Sequence, residues 1–165
     1  MNTIQDVLQA MILYDAGDPA RIQHFIKVHS FARIIGTAEG LDDKTLFTLE
    51  SAAVIHDIGI KKAEAQFGRC DGPLQEKLGP PEAEALLRSC GLPEDTVQRV
   101  CWLCAHHHTY HPIGGIDHQI LIEADFLVNL YEGSESEQTI YAAYRNIFRT
   151  NSGKTLCREL FGIKE

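Results

Sequence analysis

The sequence predicts an all-α fold, one helical bundle spanning residues 1–165. Apolar residues recur three and four positions apart along most segments, and no segment shows the strict alternation of a half-buried strand. Capping residues and Gly/Pro stops cut the chain at helix-sized intervals. A chain of 165 residues, 44% hydrophobic and 23% charged, has the size and composition of one ordinary globular domain. Such a chain buries roughly 70% of its unfolded surface. No internal repeat, low-complexity stretch or linker divides it.

The elements follow in order. Ile4, Val7, Leu8, Met11 and Ile12 make a first amphipathic helix, which Ala16-Gly17-Asp18-Pro19 ends. Asp18 caps a second helix with Pro19 in its first turn, running to about Gly40. Leu41-Asp42-Asp43 turns the chain into a third helix, from about Lys44, carrying Leu46, Leu49 and Ala53 to His56-Asp57, with Gly59 as its end or a kink. Residues 61–66 read as a short polar helix. Phe67 to Pro81 holds three glycines and three prolines and reads as the longest loop, a mobile rim over a site. Glu82 to Ser89 is helical, stopped by Cys90-Gly91. Pro93-Glu94-Asp95 opens a helix striped by Val97, Val100, Leu103 and Cys104, which ends in Ala105-His106-His107-His108. After a loop over 110–117, Ile116 to Tyr131 is a strongly apolar helix. Ile140, Tyr141, Tyr144, Ile147 and Phe148 mark another helix, and a last one follows Ser152-Gly153.

Composition narrows the function. The net charge of −8, with no long basic run, argues against a nucleic-acid duplex or an anionic membrane as partner. Met1 to Asp15 lacks a basic leader and does not read as a signal peptide. No apolar run approaches the ~20 residues of a membrane span. The five cysteines are odd in number and scattered, which fits free thiols in a reducing cytoplasm.

The informative stretch is Ser51-Ala52-Ala53-Val54-Ile55-His56-Asp57-Ile58-Gly59-Ile60. An apolar run carries an imidazole and a carboxylate inward, and both need satisfying there, by each other or by a cation. Two histidines on the second helix, His24 and His29, point about 140° apart. His24 shares the stripe of Val28, Phe31 and Ile35. His29 lies with Arg33 and Gly36 and is expected to be solvated. His106 and His107 fall three and four residues after Leu103, so either can face inward, while His108 is expected to face away. Glu123 and Asp125 sit inside an apolar helix, where a carboxylate is rarely unpaired. Asn129 follows Asp125 by one turn, and His118 precedes it by two.

His24, then Leu49 through His56-Asp57-Ile58-Gly59, then Ala124-Asp125, resembles the H…HD…D pattern of the HD superfamily of metal-dependent phosphohydrolases. The resemblance covers about residues 20–132, with the helices over 135–162 packing on that core. It implies that His24, His56, Asp57 and Asp125 bind a divalent metal: Mn, Fe, Co, Ni, Zn or Mg. Two neutral imidazoles and two carboxylates around a dication leave a neutral site with positions open for water and a phosphate oxygen. The triple histidine resembles the His or His-His ending a later helix in many members. Departures exist: no histidine lies between Asp57 and His106, so one ion is preferred to two. Ile60 stands where some nucleotidase members have a catalytic Glu, and Lys61 and Lys62 come late for the Lys of His-Asp-Ile-Gly-Lys.

The implied activity is hydrolysis of a phosphoester by a metal-bound water, on a nucleotide or another small phosphorylated metabolite. Asp57, His106 and His107 are the expected catalytic groups, Asp57 holding or deprotonating the water and a histidine serving the phosphate or leaving group. Two alternatives compete. One is a non-catalytic HD-like sensor of metal or nucleotide. The other is a structural zinc site at Cys101, Cys104 and the neighbouring histidines.

Overall fold

A computed structural model describes residues 3–164. Met1, Asn2 and Glu165 lie outside it, including the first two residues of the segment read above for a leader. The described residues form α1 (Ile4–Tyr14), α2 (Pro19–Ala38), α3 (Asp43–Ile55), α4 (Gly59–Phe67), α5 (Gly72–Ser89), α6 (Glu94–Cys104), α7 (Ile116–Glu132), α8 (Glu137–Asn146) and α9 (Asn151–Phe161). No strand occurs among them, as the sequence predicts. Among the described residues no helix is long and apolar enough to cross a membrane.

Local signals set the starts. Asp18 accepts from the backbone N–H of Arg21 at 3.0 Å with Pro19 in the first turn, and Asp42 accepts from Lys44 and Thr45. Each cap satisfies donors that a helix N-terminus leaves orphaned. Packing sets the rest. α2, α3 and α7 pack on one another at the centre, with α1 and α6 closing over α3 and α5 packing on α6 and α4. Every residue of α3 from Thr48 to Ile55 is buried, because neighbours cover it on all sides. The C-terminal helices tie in through Phe148 and Cys157, both fully buried, and through Glu123 of α7. That carboxylate accepts from the backbone N–H groups of Arg149 (2.6 Å) and Thr150 (2.9 Å), from the Thr150 hydroxyl, and from Gln119.

The expected loop over Phe67–Pro81 is largely helix instead. Only residues 68–71 are irregular, and α5 runs unbroken through Pro80 and Pro81. An interior proline costs roughly 3 kcal/mol against alanine, so composition alone argued for a loop. Asp71 caps the helix by accepting from Leu74, Pro73 stands in the first turn where its missing N–H is harmless, and Ala83 and Leu87 anchor the later turns in the core. α4 crosses α5 at Gly59 and Gly79. A Cβ on Gly59 would meet the Gln75 carbonyl oxygen and the Gly79 nitrogen at 2.8 Å, so only glycine permits the approach. This contact sets Gln75 beside the end of α3.

Candidate metal centre

Three helices bring four side chains to one point. α2 supplies His24, the residue capping α3 is His56, the following turn supplies Asp57, and α7 supplies Asp125. His24 Nε2 lies 3.3 Å from His56 Nε2, 3.3 Å from Asp57 Oδ2 and 3.2 Å from Asp125 Oδ1. His56 Nε2 lies 3.4 Å from each of the same two carboxylate oxygens. His24 is 8% exposed and His56 0%.

The other ring nitrogens fix what these atoms are. His56 Nδ1 sits 2.9 Å from the Ala53 carbonyl oxygen, which only accepts, so Nδ1 carries the proton. His24 Nδ1 likewise donates to Glu132 Oε2 at 3.0 Å, and Lys27 holds the other Glu132 oxygen at 2.7 Å. Asn129 Nδ2 donates to Asp125 Oδ1 at 2.9 Å. In the neutral rings both Nε2 atoms are therefore acceptors, turned toward two carboxylate oxygens. Four acceptors converge, and beyond Asn129 on Asp125 no donor among the described residues serves them, which leaves that role to a proton or a cation. Donors about 2.1 Å from a cation and 90–110° apart lie about 3.0–3.4 Å from one another, which matches these separations. The residues fit a divalent ion, and His24, His56 and Asp57 form a group able to hold one.

Without a cation, protons take that role. Burial opposes charge on His56, yet Asp57 and Asp125 raise its pKa well above the ordinary 6.5. His24 is raised for the same reasons, burial opposing and the Asp125 hydrogen bond prevailing. Asp57 is pushed up by burial but held well below the carboxylate range by His56 and His107, and Asp125 is lowered by both imidazoles.

A second group adjoins the first. Asp57 Oδ1, turned away from His24 and His56, lies 3.4 Å from His107 Nε2. His107 is buried and its Nδ1 donates to the Cys104 carbonyl at 2.8 Å. Gln75 Oε1 lies 3.3 Å from His107 Nε2 and 2.9 Å from His108 Nε2, while Gln75 Nε2 donates to the Cys70 carbonyl. Asp57, His107 and His108 also form a group that could hold an ion.

Several expectations change. Of the two histidines left open, His107 faces the cluster. His106 is turned aside, stacked on Trp102 at 4.0 Å with Nδ1 bonded to the Trp102 carbonyl, because the helix ends at Cys104 and the tract continues as a turn. That turn also swings His108 inward, against the helical expectation. His29 is not solvated: its Nε2 pairs with the buried Glu50 at 2.8 Å, which Arg33 also binds at 2.8 Å. His118 faces the His106 carbonyl and the Gly114 N–H rather than Asp125. Cys101 and Cys104 turn toward carbonyls of different helices, Pro80 and Ile55, and join no metal-competent group among the described residues. Sequence reasoning missed Glu132 and Gln75. Glu132 lies two turns after Asp125, a spacing that places both on one face, whereas Gln75 fell in the misread loop.

Among solved structures, the fold is similar to that of a protein described as a predicted HD superfamily hydrolase from an uncultured Thermotogales bacterium. The likeness has a TM-score of 0.67, covers 96% of this chain and 84% of that one, and carries 24% sequence identity. No family model matches the chain, and no curated protein does. The class defined by fold and site is an all-helical protein with a buried His/Asp cluster able to hold a metal. The particular fold is the one that this hydrolase shares.

Proposed function

We propose that the chain is an HD-type, metal-dependent phosphohydrolase acting on a small phosphoester, a nucleotide or similar metabolite. The carrying observation is the convergence of four acceptor atoms, from His24, His56, Asp57 and Asp125, each imidazole Nε2 lying 3.2–3.4 Å from both carboxylate oxygens, with Asn129 on Asp125 the one protein donor to them among the described residues. These four would hold one divalent cation, and mixed nitrogen and oxygen donors suit Mn, Fe, Co, Ni or Zn. When bound, such a cation supplies Lewis acidity toward water and phosphoryl oxygens. Glu132 orients the His24 ring, the Ala53 carbonyl orients His56, and Asn129 steadies Asp125. Asp57 keeps Oδ1 outside the four-acceptor cluster, where it accepts the proton of an attacking water. His107 Nε2 faces that oxygen and relays the proton toward a leaving group. The five cysteines are free thiols, in keeping with a reducing cytoplasm.

The Asp57–His107–His108 group favours a second reading with two ions bridged by Asp57. The missing histidine between Asp57 and His106 favours one. Metal counting on the purified protein separates them. A screen against mono-, cyclic and pyrophosphorylated nucleotides with several added metals tests the activity. Turnover of at least one phosphoester, lost in Asp57→Ala, supports the proposal. Tight metal and nucleotide binding with no turnover of any ester would replace it with the sensor.

A further inference from the structure

A pocket of about 260 Å³ opens beside the cluster, with His24 and Asp57 in its wall. That is below the roughly 300–1,000 Å³ of sites for drug-sized ligands, so the occupant is small. Met11, Phe25 and Ile60 supply its apolar lining. Two lining side chains play no part in holding a metal: Asp15 and Arg21. Arg21 is already committed, to Asp18 at 3.3 Å and to Glu64. Asp15 is the opposite case. It is 5% exposed, lines the pocket, and its carboxylate has neither a hydrogen bond nor an ion pair among the described residues. Burial raises its carboxyl above the ordinary range, with Arg21 and Lys61 pulling the other way.

The Asp15 oxygens open onto the pocket and are not sealed from water, and a ligand that displaces that water without supplying a donor loses affinity. Asp15 therefore calls for O–H or N–H groups on the molecule that fills the pocket. Charge sets a further limit. Asp15 and Glu132 line the pocket, and its cation Arg21 is neutralised, so a second phosphoryl group beyond the metal centre meets repulsion. Two carboxylate oxygens match two adjacent hydroxyls.

Resting on the phosphohydrolase reading, we propose that Asp15 is the specificity-determining residue for the leaving group, and that the substrate is a monophosphate ester bearing a vicinal diol with an apolar face beside it. A sugar monophosphate and a ribonucleoside monophosphate share that chemistry.

The test uses the full chain loaded with Mn²⁺ and compares kcat/KM for ribose phosphate, adenosine monophosphate, its dideoxy analogue and para-nitrophenyl phosphate. Hydrogen bonds to a charged group correspond to about 10- to 100-fold, so a diol-bearing ester should lead by that factor. Asp15→Asn, which keeps the shape, should shrink the lead over the dideoxy analogue to a few fold. The order of ribose phosphate and adenosine monophosphate tells which source the pocket takes, and either leading supports the proposal. A ranking led by the dideoxy or aryl ester, or a lead unchanged in Asp15→Asn, overturns it. Melting gives a readout independent of turnover. Asp15→Asn should melt close to wild type, since the Asp15 carboxylate makes no hydrogen bond or ion pair within the described chain, and a clear drop would assign Asp15 to the fold instead. If no ester is hydrolysed, the phosphohydrolase reading fails by itself. Calorimetry with the same ligands then decides Asp15: diol-dependent affinity lost in Asp15→Asn sustains its role, and equal affinities end it.

Discussion

Removing the Glu132 carboxylate should weaken metal binding without touching a metal ligand. Glu132 Oε2 lies 3.0 Å from His24 Nδ1, and this contact keeps the proton on Nδ1 and the Nε2 lone pair turned to the cluster. Loss of such an outer carboxylate typically costs 10–100-fold in metal affinity. Two features place Glu132 at the lower end. Its side chain is 32% exposed, so water can replace it, and Lys27 at 2.7 Å already withdraws part of its charge. About 10-fold, or roughly 1.4 kcal/mol, is therefore expected for Glu132→Ala. Glu132→Gln keeps an acceptor and should lose less. The assay is competition of the protein with a chromophoric chelator for Zn²⁺ or Mn²⁺ at neutral pH. A double-mutant cycle completes it, because Glu132→Ala should have no further effect in a His24→Ala background. Unchanged affinity in Glu132→Ala, or an equal loss in the presence and absence of His24, would refute the orienting role.

Other outcomes follow from the same geometry. His24→Ala should remove most bound metal by elemental analysis, whereas His29→Ala should retain it and lose about 1–3 kcal/mol of stability in urea unfolding, because the buried Glu50 keeps only Arg33. His107→Ala should lower turnover by ~10²-fold or more, with His106→Ala changing Trp102 fluorescence far more than turnover, since its ring stacks on the indole. Metal affinity should fall as pH drops, beginning above 6.5 because His24 and His56 are raised in the metal-free protein. Their contribution to metal-free stability runs oppositely: it is fully present below 6.5, the ordinary value, and is lost as pH rises through the raised values. Melting curves with and without metal across that interval check both signs, and a metal-free protein equally stable throughout would contradict the shared-proton account.

The sequence by itself determined most of the helices, α5 excepted, and most of the central cluster. Periodicity and caps place α2, α3 and α7, and the stripe of Val28, Phe31 and Ile35 picks His24 over His29, because a side chain's direction on a helix depends only on its position along it. The buried run ahead of His56-Asp57 and the carboxylate within α7 are likewise local facts. Tertiary structure decided what local rules leave open. The chain after Cys104 is a turn, so helical angles could not say that His107 and His108 face inward and His106 does not. α5 reads as a loop from its glycines and prolines and becomes helix through its cap, its buried turns and the close approach of Gly59 to Gly79. That approach brings Gln75 to His107 and His108. His29 finds Glu50 from another helix, and Asp15, an unremarkable end to α1, becomes a buried carboxylate only where α2 and the turn after α3 close a pocket around it. For Gln75, His29 and Asp15 the deciding contact joins residues far apart in the chain, and its energy depends on which helices meet.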